Sequence, residues 1–351
     1  MIASDRVVEL HECTLASERP YKDEAAQVAL QSLDIFHAVY GQDSPDAANV
    51  SNYLSWVAES RAQFAEAEQH ARCAWEIMER VGDRCNGSKA TDVRIDALTR
   101  IGTSQRAGGY YDEAEIWLQR ALDLAKRSGR QIVAALNNLG VVYKCSGRLD
   151  EAERLYWRAL EFAEDHSSAM AATLYRNLGE IAHLWERFAD GEWFGRRAWE
   201  IRRTLLGPDH PETLADACAY AALLDGLGRH ENAEAICRDA LVKFEDIWGG
   251  EHMDIATCLH NLAAVRWARG DAAEAEALYK RAAAMKERLL GPWHPDTALT
   301  LCNYAALLAE EWREDEARDL ASRALLVFET RLNPLHPQRA AARDLWELLS
   351  I

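Results

Sequence analysis

Four histidines stand 42 residues apart, at His210, His252, His294 and His336, and each sits in a version of one short segment. Leu206-Gly207-Pro208-Asp209-His210-Pro211-Glu212-Thr213 returns as Leu290-Gly291-Pro292-Trp293-His294-Pro295-Asp296-Thr297. It is worn down in Trp248-Gly249-Gly250-Glu251-His252-Met253-Asp254 and closes in Leu332-Asn333-Pro334-Leu335-His336-Pro337. A fixed period of this length leaves few folds open. Each unit is one supersecondary element that cannot bury its own apolar face, so it buries that face on the next copy. The 351 residues are therefore expected to form one repeat array rather than two ordinary globular domains.

The packing positions repeat as well. With the Arg-Ala-Leu element late in each unit as anchor, small residues recur at Ser32, Ala74, Ala121, Ala159, Ala198, Ala240, Ala282 and Ala324, in steps of 42, 47, 38, 39, 42, 42 and 42. Seven residues before each stand Ala25, Ala67, Ala114, Ala152, Gly191, Ala233, Ala275 and Ala317. Nineteen before each stand Cys13, Ser55, Gly102, Gly140, Gly179, Ala221, Ala263 and Ala305. Small side chains at these three offsets let two antiparallel helices and the next hairpin approach closely, and larger ones would overpack at roughly 1–3 kcal/mol per site.

Asn138-Leu139-Gly140 through Gly147 to Ala152-Glu153, and Asn261-Leu262-Ala263 through Gly270 to Ala275-Glu276, resemble the tetratricopeptide repeat family. The 42-residue step with its L-G-P-x-H-P link is similar to the kinesin-light-chain type of that family. The resemblance covers essentially the whole chain and implies an all-α, right-handed superhelical solenoid of eight antiparallel hairpins. They fall at about 5–44, 45–88, 89–129, 130–166, 167–210, 211–252, 253–294 and 295–336, with a capping helix over 337–350 whose Leu345, Leu348 and Leu349 cover the last apolar face. It says little of function, because the family is defined by packing residues.

Proline after the link histidine suits the first helical position, and the acidic residue that follows (Glu212, Asp254, Asp296) favours the positive helix start. The link histidines read as structural, set apart along one edge with no cysteine or second histidine beside them, and no metal site is expected. The one long insertion, at 81–89, carries Gly, Ser and Lys without the phosphate-loop spacing. Hairpin five departs from the pattern: Gly191 replaces the packing alanine, and Trp185, Phe188, Trp193 and Phe194 crowd around it. Aromatics filling the vacated space is one reading, and a local bend or ligand pocket the other.

A formal net charge of −17 repels nucleic acid and anionic membranes. The first residues lack a basic segment followed by an apolar run, so no signal peptide is read, and the expected location is cytoplasmic. Eight cysteines without C-x-x-C spacing are expected to be buried free thiols. His11-Glu12 lacks the second histidine of a zinc protease motif, and no G-x-S-x-G, nucleotide-binding or EF-hand pattern is present, so no catalytic residue and no cofactor are assigned.

In the family resembled, the first helix of each hairpin lines the concave face. The inward positions include Tyr53, Trp56, Arg100, Arg106, Asn137, Asn138, Lys144, Arg176, Asn177, His260, Asn261, Trp267 and Asn303. Asn138, Asn177, Asn261 and Asn303 share one register, where an amide both donates to and accepts from a peptide backbone. The resemblance implies that such asparagines hold peptides; the alternative is that they bond the neighbouring helix. Across the first helices of hairpins three to five, Lys89, Arg94, Arg100, Arg106, Arg130, Lys144 and Arg176 outnumber Asp92, Asp96 and Glu180 by four, which suggests an acidic peptide or carboxylate ligand. The lysines of the family's chaperone-binding clamp are missing. The leading expectation is a non-enzymatic adaptor or regulatory subunit that binds a protein or peptide segment, with Tyr53, Trp56 and Trp267 as apolar anchors. The alternative is a sensor of a peptide or small ligand that changes superhelical conformation. An enzyme or obligate enzyme subunit with a site near Gly191 is the third reading, and it has no motif behind it.

Overall fold

A computed structural model of the protein describes residues 43–350 apart from 60, 62, 83–86 and 335. Hairpin one, with Cys13, Ala25 and Ser32, and Cys85 with the middle of the 81–89 insertion, lie outside the described residues. Within them there are fifteen helices and no strand. They are α1 Pro45–Glu59, α2 Phe64–Val81, α3 Ser88–Ala107, α4 Tyr111–Ser128, α5 Ile132–Ser146, α6 Leu149–Phe162, α7 Ala169–Leu184 and α8 Phe188–Leu206. Then follow α9 Pro211–Gly226, α10 His230–Trp248, α11 Met253–Ala268, α12 Ala272–Leu290, α13 Pro295–Glu310, α14 Glu314–Arg331 and α15 Pro337–Leu348. The chain divides into two compact units, Met1–Val142 and Tyr143–Ile351, and the boundary falls inside α5.

The link segment is a helix stop followed at once by a helix start. Gly207 and Gly291 end α8 and α12 at φ 88°, ψ 166° and φ 87°, ψ 166°, a region essentially reserved for glycine. The histidine three or four residues after the C-cap then caps the next helix. Nδ1 of His210, His252, His294 and His336 accepts from the backbone N–H of Glu212, Asp254, Asp296 and Gln338 at 3.1–3.2 Å. Inside the hairpins the turn needs a left-handed residue. Gly109, Gly147, Gly228 and Gly270 supply it, whereas Glu186 and Trp312 adopt it at φ 57° and 61°.

The small residues lie where the spacing placed them. Ala67, Ala74, Ala114, Ala121, Ala152, Ala159, Ala275, Ala282, Ala317 and Ala324 are wholly buried. Gly191 has a different cause from either expected one: a Cβ there would stand 2.4 Å from Cδ2 of Leu223 on α9, so an aliphatic side chain, not the aromatics, occupies the vacated space. The aromatics pair elsewhere, Trp157 with Phe194 and Tyr175 with Trp193, edge to face. The cap is also corrected in detail, since Leu345 and Leu349 pack on the last hairpin but Leu348 is 68 % exposed and Ala342 takes its place inside.

In unit two the first helices α7, α9, α11 and α13 touch one another in sequence, while the second helices do so far less. Long side chains span the wider gap instead, as in Arg238–Glu274 (2.8 Å), Arg281–Glu245 (2.5 Å) and Arg323–Glu287. The closer-packed face, carried by the first helices, is the concave one. At the two ends of this unit the turn after α5 meets the link before α15: a Cβ on Gly147 would stand 2.9 Å from His336, which is buried.

Candidate functional site

In unit one, Tyr53 is buried in the core formed by α1, α2 and α3, and Trp56, its ring 5.7 Å away, packs against the same core. Asn52 donates to the Val93 carbonyl on the next first helix at 3.1 Å. Arg100 is half-buried, and its Nε is enclosed without a hydrogen-bond partner. Burial lowers its pKa against the opposing fields of Glu59 and Asp96. Arg106 sits half-exposed in the last turn of α3. On α5, Asn137 is buried and donates to Oδ1 of Asn138 at 3.4 Å.

In unit two the expected residues fall into two polar clusters on the first-helix face. Lys144, at the end of α5, donates to Oδ1 of Asn177 at 3.1 Å and pairs with Glu180. Arg176 donates to Oδ1 of Asp216 at 3.2 Å, and Arg202 reaches the other oxygen of Asp216 at 3.0 Å, Glu212 at 2.5 Å and Thr173 at 2.9 Å. Burial alone would raise the pKa of Glu180, but Lys144 and Arg176 hold it below the usual carboxylate range. Burial also opposes the charge on Arg176, and Asp216 and Glu180 outweigh it. One chain of alternating charge thus runs from α5 across α7 to α8 and α9.

The second cluster is built on α11, α12 and α13. Nδ2 of Asn303 donates to Nε2 of His260 at 3.3 Å, which makes Nδ1 the protonated nitrogen, donating to Thr300 Oγ1 at 3.1 Å. Thr300 in turn donates to the Asp296 carbonyl at 3.3 Å. Burial, then Lys286 and His183, push the His260 pKa well down, so the imidazole is neutral. Asn261 donates to the Cys218 carbonyl on α9 at 3.3 Å, the neighbouring-helix alternative for this register. Trp267 closes the rim by donating to Glu310 at 2.7 Å.

The count of bases over acids is revised by their partners. Lys89 pairs with Asp46, Arg130 with Asp92, Lys144 with Glu180 and Arg176 with Asp216, while Arg94 donates to the Gly82 carbonyl. Asp46 and Asp216 come from outside the three acids counted, so the excess of four is halved. Sequence reasoning also missed Arg202, Asp216, Lys286 and Thr300. The signal was present: four residues after the anchor, where Met78, Phe244 and Phe328 are buried, stand Arg202 and Lys286.

Of those four aromatics of hairpin five, Trp193 lines a cavity of about 390 Å³, together with Tyr175, Arg196, Arg197 and Glu200. Of the thiols, Cys218, Cys237, Cys258 and Cys302 are buried and free as expected, but Cys73 is exposed. Among the described residues no group of three or more His, Cys, Asp or Glu is arranged to hold a metal ion, and no helix is long and apolar enough to cross a membrane.

A family model described as tetratricopeptide repeat matches residues 94–165, 217–288 and 254–325, more than half of the chain, and a second of the same description matches 171–212. Similar solved structures include BtubC (BKLC) from P. vanneervenii, 22% identical over 65% of this chain and 92% of that one, with a TM-score of 0.52. A Rap protein complexed with Competence and Sporulation Factor is 16% identical over 85% of this chain and 78% of that one, with a TM-score of 0.60. The Rap conjugation gene regulator of the plasmid pLS20, in complex with the Phr* peptide, is 15% identical over 76% and 70%, with a TM-score of 0.59. At these identities the likeness is one of fold. No curated protein matches in sequence.

Proposed function

Since the chain belongs to the tetratricopeptide repeat family, we propose that it is a non-catalytic interaction scaffold whose unit two holds an extended segment of a protein partner on the first-helix face. The observation that carries this reading is the pair of polar clusters just described. Burying charges and amides costs stability unless every group is matched, and apolar residues of similar size are often as good or better. This same chain fills the equivalent registers with Cys218, Phe244 and Cys258 in the repeat between the two clusters. Polar groups kept at such positions suit recognition of a peptide main chain and its charged groups more than they suit packing. A fold of this kind holds the Phr* peptide in the pLS20 regulator, which supports the class of ligand. Free buried thiols fit a reducing, cytoplasmic setting.

Affinity capture from a native lysate, read by mass spectrometry, tests the proposal with Lys144→Gln and Trp267→Ala beside the wild type. Lys144 is a polar side chain on the face, and Trp267 packs partly buried against the core of the last hairpins, so helical content is read beside capture. A dominant partner held by the wild type and reduced about tenfold or more in each variant, with helical content unchanged, is expected. Equal retention in all three moves the site off this face.

The contact between Gly147 and His336 favours a second reading, a peptide-sensing regulator. Seating a ligand on the inner face would part those two ends, and small-angle scattering would then show a larger radius of gyration with partner bound.

A further inference from the structure

The two polar clusters of unit two occupy one register, two repeats apart. Thr173, Arg176, Arg202 and Asp216 correspond to Thr257, His260, Lys286 and Thr300. In the first set Asp216, shut off from solvent, accepts from both arginines, so the buried Arg202 and the partly buried Arg176 each have a counter-charge. In the second set the aspartate has become Thr300 and the cation remains. Lys286 is 4 % exposed, and its ammonium meets only the backbone carbonyl of Asp296, at 3.4 Å, with no ion pair to a carboxylate among the described residues.

Thr300 adds no negative charge; its hydroxyl is already spent between His260 and the Asp296 carbonyl. His260 offers none either. Burial lowers the Lys286 pKa, and the Asp296 carboxylate opposes that only in part. A cation so placed is costly to the free protein. The same position elsewhere takes Met78, Phe244 or Phe328, so the fold itself does not ask for a lysine. Asn303, half-buried on α13, stands between His260 and the buried Tyr279 hydroxyl at the edge of the cluster.

We propose that His260, Lys286 and Thr300 form a carboxylate subsite of the peptide-binding face, where a carboxylate of the bound segment takes the place that Asp216 fills two repeats earlier. The inference rests on the groove reading above and names the chemistry of one position in it. The carboxylate supplies the charge that Lys286 lacks. The carboxylate comes either from the end of a chain or from an Asp or Glu side chain.

The test uses two small probes on the full-length protein. N-acetylglycine presents a chain-terminal carboxylate and N-acetylglutamic acid α-amide a side-chain one, each titrated against chloride at equal ionic strength. Wild type is expected to gain Tm with one probe beyond its gain with chloride, and the responding probe identifies the source. Thr300→Asp restores the internal counter-charge. It should raise Tm in chloride and abolish the probe response. Lys286→Met, which installs the residue hairpin two uses at this register, should keep or raise Tm and also abolish the response. A probe response that survives both substitutions, or none in the wild type, overturns the subsite. Partner capture that still depends on Lys144 and Trp267 in that event leaves the groove reading intact.

Discussion

At the scale of single residues, the array tolerates no extra atoms where two helices touch. Gly191 is the clearest case, because Leu223 of the next first helix already fills the volume a methyl would need. Gly191→Ala is expected to lower stability by about 1–3 kcal/mol, measured as a shift in the denaturation midpoint at constant slope. Leu223→Ala in the same background should recover part of that loss, and a double variant no better than Gly191→Ala would separate the two residues. The sequence shows that this alanine is missing but not why, since the side chain that fills the space lies in the following hairpin. The same limit applies to charge. A tally along the first helices of hairpins three to five finds seven bases, but Asp216 lies in the hairpin after them and Arg202 on a second helix. Which ions meet is decided by how hairpins stack, and only the period of that stacking is written in the chain.

At the scale of the element, the link is the most legible part of the molecule. A glycine that only a glycine-permitted backbone can place, a histidine whose ring nitrogen caps the next helix, and a proline in its first turn form a complete stop and start. The repeat of four histidines suggests chemistry, and each one spends its Nδ1 lone pair on a backbone N–H. His294→Ala should therefore cost about 1 kcal/mol of stability, with faster hydrogen exchange in the first turn of α13. His294→Asn should restore most of it, because an amide oxygen caps equally well. If the two variants exchange alike, the cap is not what the histidine supplies. The asparagine register is the part that the chain leaves undecided. Asn261 bonds a neighbouring carbonyl, Asn177 accepts from a lysine, and Asn303 holds a histidine. Identical residues at identical offsets thus have three different partners, and those partners are set by the preceding repeat.

At the scale of the whole molecule, each unit is a stack in which a hairpin depends on its neighbours, and the end contacts are where a local change spreads furthest. His336 closes unit two against Gly147 and caps α15, and burial holds its pKa down to about 4. An unfolded histidine titrates near 6.5, so between those values the unfolded chain binds the extra proton and stability falls as the pH drops. The contribution is complete above about pH 6.5 and is lost through about pH 4, by at most about 3 kcal/mol. His336→Asn keeps a cap that does not titrate, and its Tm should fall less steeply than that of the wild type over this range. Parallel slopes would assign the acid sensitivity to other groups. The two faces of unit two also differ in what joins one repeat to the next. Direct contact between helices joins the inner face, whereas flexible arginine and glutamate side chains bridge the outer one. Such a body bends like a leaf spring with one stiff leaf: the inner face keeps its length while the outer lengthens or shortens at little energetic cost. Ionic strength loosens the exposed pairs of the outer side more than the more buried pairs of the inner one, so salt is expected to shift the curvature at which the inner face is presented.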